Sequence, residues 1–190
     1  MSVLRFLRVL LPLAIVVAAV AAVLSVVSAR PDLQDAKRGV DRAWPPLQAQ
    51  LQPHYSLLSQ ADAHLQTVTG PVRTLADQVK DGLARWQSAV ESGDVAAQVR
   101  AANSLEALSR RLVATARTSP RATGDAGSAL AVAAFANGAA TVAQGGAVDT
   151  FNKAVTAYQK QRRGPVRSVV ATMLGDRDIP AFSPAPPVAA

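Results

Sequence analysis

The chain contains no cysteine. That excludes a disulfide framework, cysteine zinc sites, thiol nucleophiles and lipid attachment to cysteine. Aromatic residues make up only 4%, and no stretch alternates apolar and polar residues as a half-buried strand does. Histidine is nearly as scarce, at His54 and His64 alone. At about 100° per residue these two lie about 80° apart around one helix, too far for a shared metal site. Asp62 beside His64 reads as a solvated neighbour. No nucleophile elbow, HExxH pair or EF-hand loop occurs, and Asn137-Gly138 and Gln144-Gly145-Gly146 lack phosphate-loop spacing. Glu91, Glu106 and Asp149 are scattered along the chain, which gives acid–base chemistry no cluster to work from. The expectation is therefore a non-enzyme without catalytic residues, cofactor or metal.

Charge is also missing from one place in particular. Residues 9–29 carry none, between Arg8 and Arg30. As a helix this run spans roughly 30 Å, the hydrocarbon thickness of a bilayer. Two readings fit it. A secretory signal peptide has the same basic start, and Val27-Ser28-Ala29 loosely resembles a small-residue cleavage site. The run is longer than a signal peptide's apolar region and rich in Val, Leu and Ile throughout, which favours an uncleaved signal anchor. The expected layout is a basic tail at 1–8, a transmembrane helix at 9–29, a helical bundle domain at 32–175 and a Pro/Ala-rich tail at 176–190.

The remainder is helical in character, and with 49% hydrophobic residues the chain can fill a slim core. A first segment, residues 32–68, carries Trp44, Leu47, Leu51, Tyr55, Leu58 and Leu65 mostly at three- and four-residue steps. Pro45-Pro46 and Pro53 interrupt it, so it should be kinked or restart near Pro46. Pro71 suits the first position of a second helix, with Val72, Leu75, Val79, Leu83, Trp86 and Val90 on its inner face. Ser92-Gly93-Asp94 is a turn with an N-cap. A third helix, residues 95–118, turns Val99, Ala102, Leu105, Leu108 and Leu112 inward. Residues 119–127 read as a loop. A fourth helix, residues 128–163, is rich in Ala and Gly and should break near Gly138 or Gly145-Gly146. The fold class expected is all-α: a transmembrane helix followed by an antiparallel up-and-down four-helix bundle.

Two stretches resemble the LemA family. The first is Val40-Asp41-Arg42-Ala43-Trp44 followed by Leu47, Leu51, Tyr55 and Leu57-Leu58. The second is Phe151-Asn152, Val155, Tyr158-Gln159, Gly164-Pro165, Ala171, Gly175 and Phe182, with Ser119-Pro120 where the family has Tyr-Pro. The chain departs from the family pattern at Gln52-Pro53-His54, Ser56, Ser59-Gln60 and Gly175-Asp176. The resemblance implies a membrane-associated helical bundle of the bacterial cell envelope; relatives include a protein of magnetosome membranes.

Net charge is +7, and it is local. Arg5 and Arg8, with Lys153, Lys160, Arg162, Arg163 and Arg167, account for the whole excess. Few aromatics interleave with these residues, so nucleic acid is not the expected partner. If the four helices alternate direction, the end of the fourth returns to the bilayer. Lys160, Arg162, Arg163 and Arg167 are then candidate contacts for anionic lipid. Val166, Val169, Val170, Met173 and Leu174 form one face of a short amphipathic helix that either caps the bundle or touches the membrane. The expectation is a single-pass cell-membrane protein serving as a non-enzymatic scaffold or interaction module for a protein partner, with its bundle extracytoplasmic. The alternative is a secreted or exported bundle with a hidden small-molecule or enzymatic site.

Overall fold

The computed structural model describes the backbone of residues 3–163, 168, 171–172 and 177–184, and the side chains of these from residue 30 onward. Every regular element among them is helical: α1 (Val3–Leu65), α2 (Pro71–Ser92), α3 (Val95–Thr118), α4 (Pro120–Gly124), α5 (Ala126–Gln144) and α6 (Gly146–Arg162).

Helix α1 is one helix of 63 residues, roughly 95 Å at the usual rise. It does not restart at Pro46. The reason lies in the burial pattern. Pro45, Pro46 and Pro53 are all exposed, and so are Asp41, Arg42 and Ala49, whose carbonyls lose their helical donors. On this exposed side water can take the place of the lost donors, while Trp44, Leu47, Leu51, Tyr55 and Leu58 on the other face are buried and hold the helix in place. The backbone of residues 9–29 belongs to α1, but the side chains of that apolar run lie outside the described residues. Among the described residues one helix, α5, is long and apolar enough to cross a membrane by length and composition. It packs on α1 and buries Val132, Phe135, Ala139 and Val142.

Pro71 stands at the start of α2, and Gly93 ends it in the left-handed conformation at φ 69°, which glycine adopts without steric cost. Asp94 caps α3, its carboxylate accepting from the N–H groups of Ala96 and Ala97. Within residues 119–127, read from sequence as loop, Pro120–Gly124 forms a single helical turn. The long fourth segment breaks at Gly145, which has extended backbone, while Gly138 stays inside α5. A Cβ on Gly145 would lie 2.7 Å from Gln50 Oε1, so the break also lets α1 come close.

Named contacts give the directions. Gly127 lies by His64, Gly138 by His54 and Gly145 by Gln50, and Phe151 meets Trp44, so α5 and α6 run antiparallel to α1. Trp44 meets Gln98 and His54 meets Glu106, so α3 runs parallel to α1. Helix α2 packs on both α1 and α3. The core is continuous along α1, from Leu33 to Leu65.

Candidate functional site

Three features carry polar chemistry: a buried cluster at the centre, the basic end of α6, and the C-terminal segment.

The scarce aromatics gather around α1. Phe151 lies 5.1 Å from Trp44, Trp44 6.2 Å from Trp86, and Trp86 5.1 Å from Tyr55, centroid to centroid. The Trp44 indole N–H donates to Gln98 Oε1 at 2.6 Å, which satisfies a polar atom that burial would otherwise strand. His54 continues the row, stacked on Phe135 at 4.5 Å. Its Nε2 lies 3.3 Å from Glu106 Oε1, and the two residues are 3% and 1% exposed. Burial raises the Tyr55 phenol well above its ordinary range, and the Glu106 carboxylate beside it raises it further.

Sequence reading passed over this cluster. In the sequence Glu106 is one scattered carboxylate and His54 one of two histidines too far apart around a helix to share a metal. Packing brings the two together: His54 and Glu106 occupy buried positions on α1 and α3, among the apolar residues of the core. No grouping of His, Asp and Glu suited to a metal ion occurs among the described residues. With both side chains almost wholly enclosed, a substrate reaches them only if the helices part. The contact joins two polar side chains of α1 and α3 across the core. Farther along α1, Asp62 is also buried. Desolvation raises its pKa, Gln66 donating at 3.3 Å opposes the rise, and Asp77 adds to it.

The four basic residues proposed for lipid contact do not share one role. Lys160 and Arg163 are exposed at the end of α6. Arg162 turns back: it pairs with Asp178 at 2.7 Å and lies over the Tyr158 ring at 5.6 Å. Arg167 and the apolar face from Val166 to Leu174 lie outside the described residues.

Asp178 belongs to the segment that composition marked as a Pro/Ala tail. Residues 177–184 lie docked against α3 and α6, with Ile179 and Phe182 only 3% and 2% exposed. Asn152 Nδ2 donates to the Phe182 carbonyl at 2.9 Å, and the Phe182 N–H donates to Asn152 Oδ1 at 2.8 Å. Asn103 does the same one step away, donating to the Ala181 carbonyl and accepting from the Ser183 N–H. Gln159 donates to the Ile179 carbonyl and the Tyr158 hydroxyl to that of Arg177. Arg177 in turn pairs with Asp94 at 2.8 Å. Asp94 is partly desolvated, which pushes its pKa up, but the Ala97 and Ala96 N–H groups and Arg177 hold it below the usual value. In the sequence Asn152 and Phe182 stand out only as parts of the LemA-like stretch, and Asn103 does not stand out at all.

No family model, curated protein or solved structure matches this chain.

Proposed function

We propose that the chain is a single-pass membrane protein of the LemA type, whose up-and-down four-helix bundle is a non-enzymatic interaction or scaffold module in the bacterial cell envelope. The observation that carries the reading is α1 itself. The uncharged run at 9–29 and the core residues from Leu33 to Leu65 lie on one helix without a break. A bundle joined rigidly to a bilayer-length segment is held at a fixed height above the membrane, which suits a scaffold.

Two further observations favour it. The stretches that resemble the LemA family meet in the core, where Trp44 packs on Phe151. The exposure of Lys160 and Arg163 at the end of α6, which runs antiparallel to α1, supports a contact with anionic headgroups at that end.

The absence of cysteine makes a direct test available. Thr123→Cys places one thiol on the exposed face of α4. Treating intact cells with a membrane-impermeant thiol reagent should label it, and the labelled chain should sediment with membranes. Labelling only after lysis would put the bundle inside the cell. Labelled chain in the medium would mean that the segment is removed and the bundle released.

A further inference from the structure

We propose that the face formed by α3 and α6 is a peptide-binding groove, filled in this structure by the chain's own residues 177–184, and that its partner is a protein segment of the same chemistry: extended, proline-containing, with an aliphatic and an aromatic anchor three residues apart. The proposal gives the interaction-module reading a partner class. It stands or falls apart from the anchor, since peptide binding and membrane retention are measured separately.

The segment reads Arg177-Asp178-Ile179-Pro180-Ala181-Phe182-Ser183-Pro184. Proline disfavours helix in the residue before it, so Ile179 and Ser183 are pushed towards extended backbone. A polyproline-like extended chain has three residues per turn, which puts Ile179 and Phe182 on one side. Both are buried, while Arg177, Asp178, Ala181 and Ser183 are exposed. A segment already biased to this shape loses little conformational entropy on docking.

The groove reads the backbone of that segment. Asn103 and Asn152 each use both ends of the amide, one donating to a carbonyl and accepting from the N–H two residues on, the other pairing with both groups of Phe182. Gln159 and Arg100 donate to the carbonyls of Ile179 and Asp178. Selectivity for side chains is left to the two apolar anchors and to the Arg162–Asp178 and Arg177–Asp94 pairs. Such contacts do not depend on which chain the segment belongs to, as in other modes of extended-peptide recognition. Belonging to the same chain makes this segment the standing occupant, because an intramolecular ligand acts at an effective concentration on the order of millimolar.

The test uses the full-length protein in detergent. Ile179→Ser with Phe182→Ser empties the anchors, and a fluorescent synthetic peptide of residues 177–184 is titrated by polarisation. The emptied chain should bind it at least roughly 30-fold more tightly than the wild type, whose groove is already filled. Adding Asn103→Ala and Asn152→Ala should abolish binding. A peptide with its anchors two residues apart should not bind. Absence of binding to an emptied chain that keeps wild-type helicity would overturn the proposal, as would equal binding of the misspaced peptide. A wild-type dimer with the segment crosslinked to the other copy would also overturn it, assigning the groove to self-exchange. Should the emptied chain lose its helicity, hydrogen exchange in the wild type decides. The Phe182 and Ser183 amides should exchange at least about 100-fold faster than those of Phe151 and Val155, because the segment lifts while the helices stay folded. Equal protection would make the segment an inseparable part of the core and overturn the proposal.

Discussion

His54 Nε2 on α1 stands 3.3 Å from Glu106 Oε1 on α3, inside a core built mainly from aliphatic and aromatic side chains. Removing one partner of such a pair leaves the other's charge or polarity enclosed and uncompensated, a loss of about 3–5 kcal/mol. His54→Ala and Glu106→Ala should each destabilise by that amount in urea unfolding. Replacing both together with leucine should cost far less than the sum, because no buried charge is left behind. Additive losses would show that the two side chains do not act on each other.

Much of the helical framework was legible in the sequence, and the reasons for the exceptions are specific. Trp44, Leu47, Leu51, Leu58, Val79, Trp86, Val99, Leu105 and Leu112 are all buried as their spacing predicts. Spacing cannot tell a buried histidine or glutamate from a solvated one, so the cluster at His54 and Glu106 needed the packing of α1 on α3 to be seen. The prolines misled for a related reason. Proline breaks a helix through its carbonyl partners, and in α1 the residues that carry them, Asp41, Arg42 and Ala49, are on the exposed side. The 177–184 segment has no period at all. Its place is set by Asn103 and Asn152, far away in the chain.

The glycines offer opposite outcomes from one substitution. Gly39 lies within α1, and a Cβ there would meet nothing within 4 Å. Gly39→Ala should stabilise by about 0.5–1 kcal/mol through helix propensity alone. Gly93 has φ 69°, so Gly93→Ala should destabilise by about 1 kcal/mol through the strained left-handed turn. Thermal unfolding of the two variants side by side checks both signs.

Asp62 gives a pH dependence with a defined sign. Its carboxyl has a raised pKa in the folded chain, because of burial, and so binds its proton more tightly folded than unfolded. Its contribution to stability therefore falls as pH rises from the unfolded value, 3.8, through the raised folded value, and is unfavourable above that window. Asp62→Asn should raise stability at neutral pH by on the order of 1 kcal/mol and flatten the profile in that range. A variant as stable as wild type at every pH would contradict the assignment.

At the basic end of α6, the exposed and the engaged residues should separate. In vesicle binding by a chain of residues 30–190, Lys160→Gln and Arg163→Gln should each weaken affinity for anionic lipid by about 1 kcal/mol, and salt should erase the difference. Arg162→Gln should act instead on the docked segment, through loss of its contact with Asp178. Equal binding to neutral vesicles would remove the electrostatic account.

The central claim is that residues 9–29 hold the bundle to a membrane. Alkaline carbonate extraction of membranes from cells making the full-length chain, followed by intact mass of the retained protein, tests it most directly. The account predicts that the chain stays in the pellet with its first 29 residues present. Release into the supernatant, or a mass lacking those residues, would contradict it.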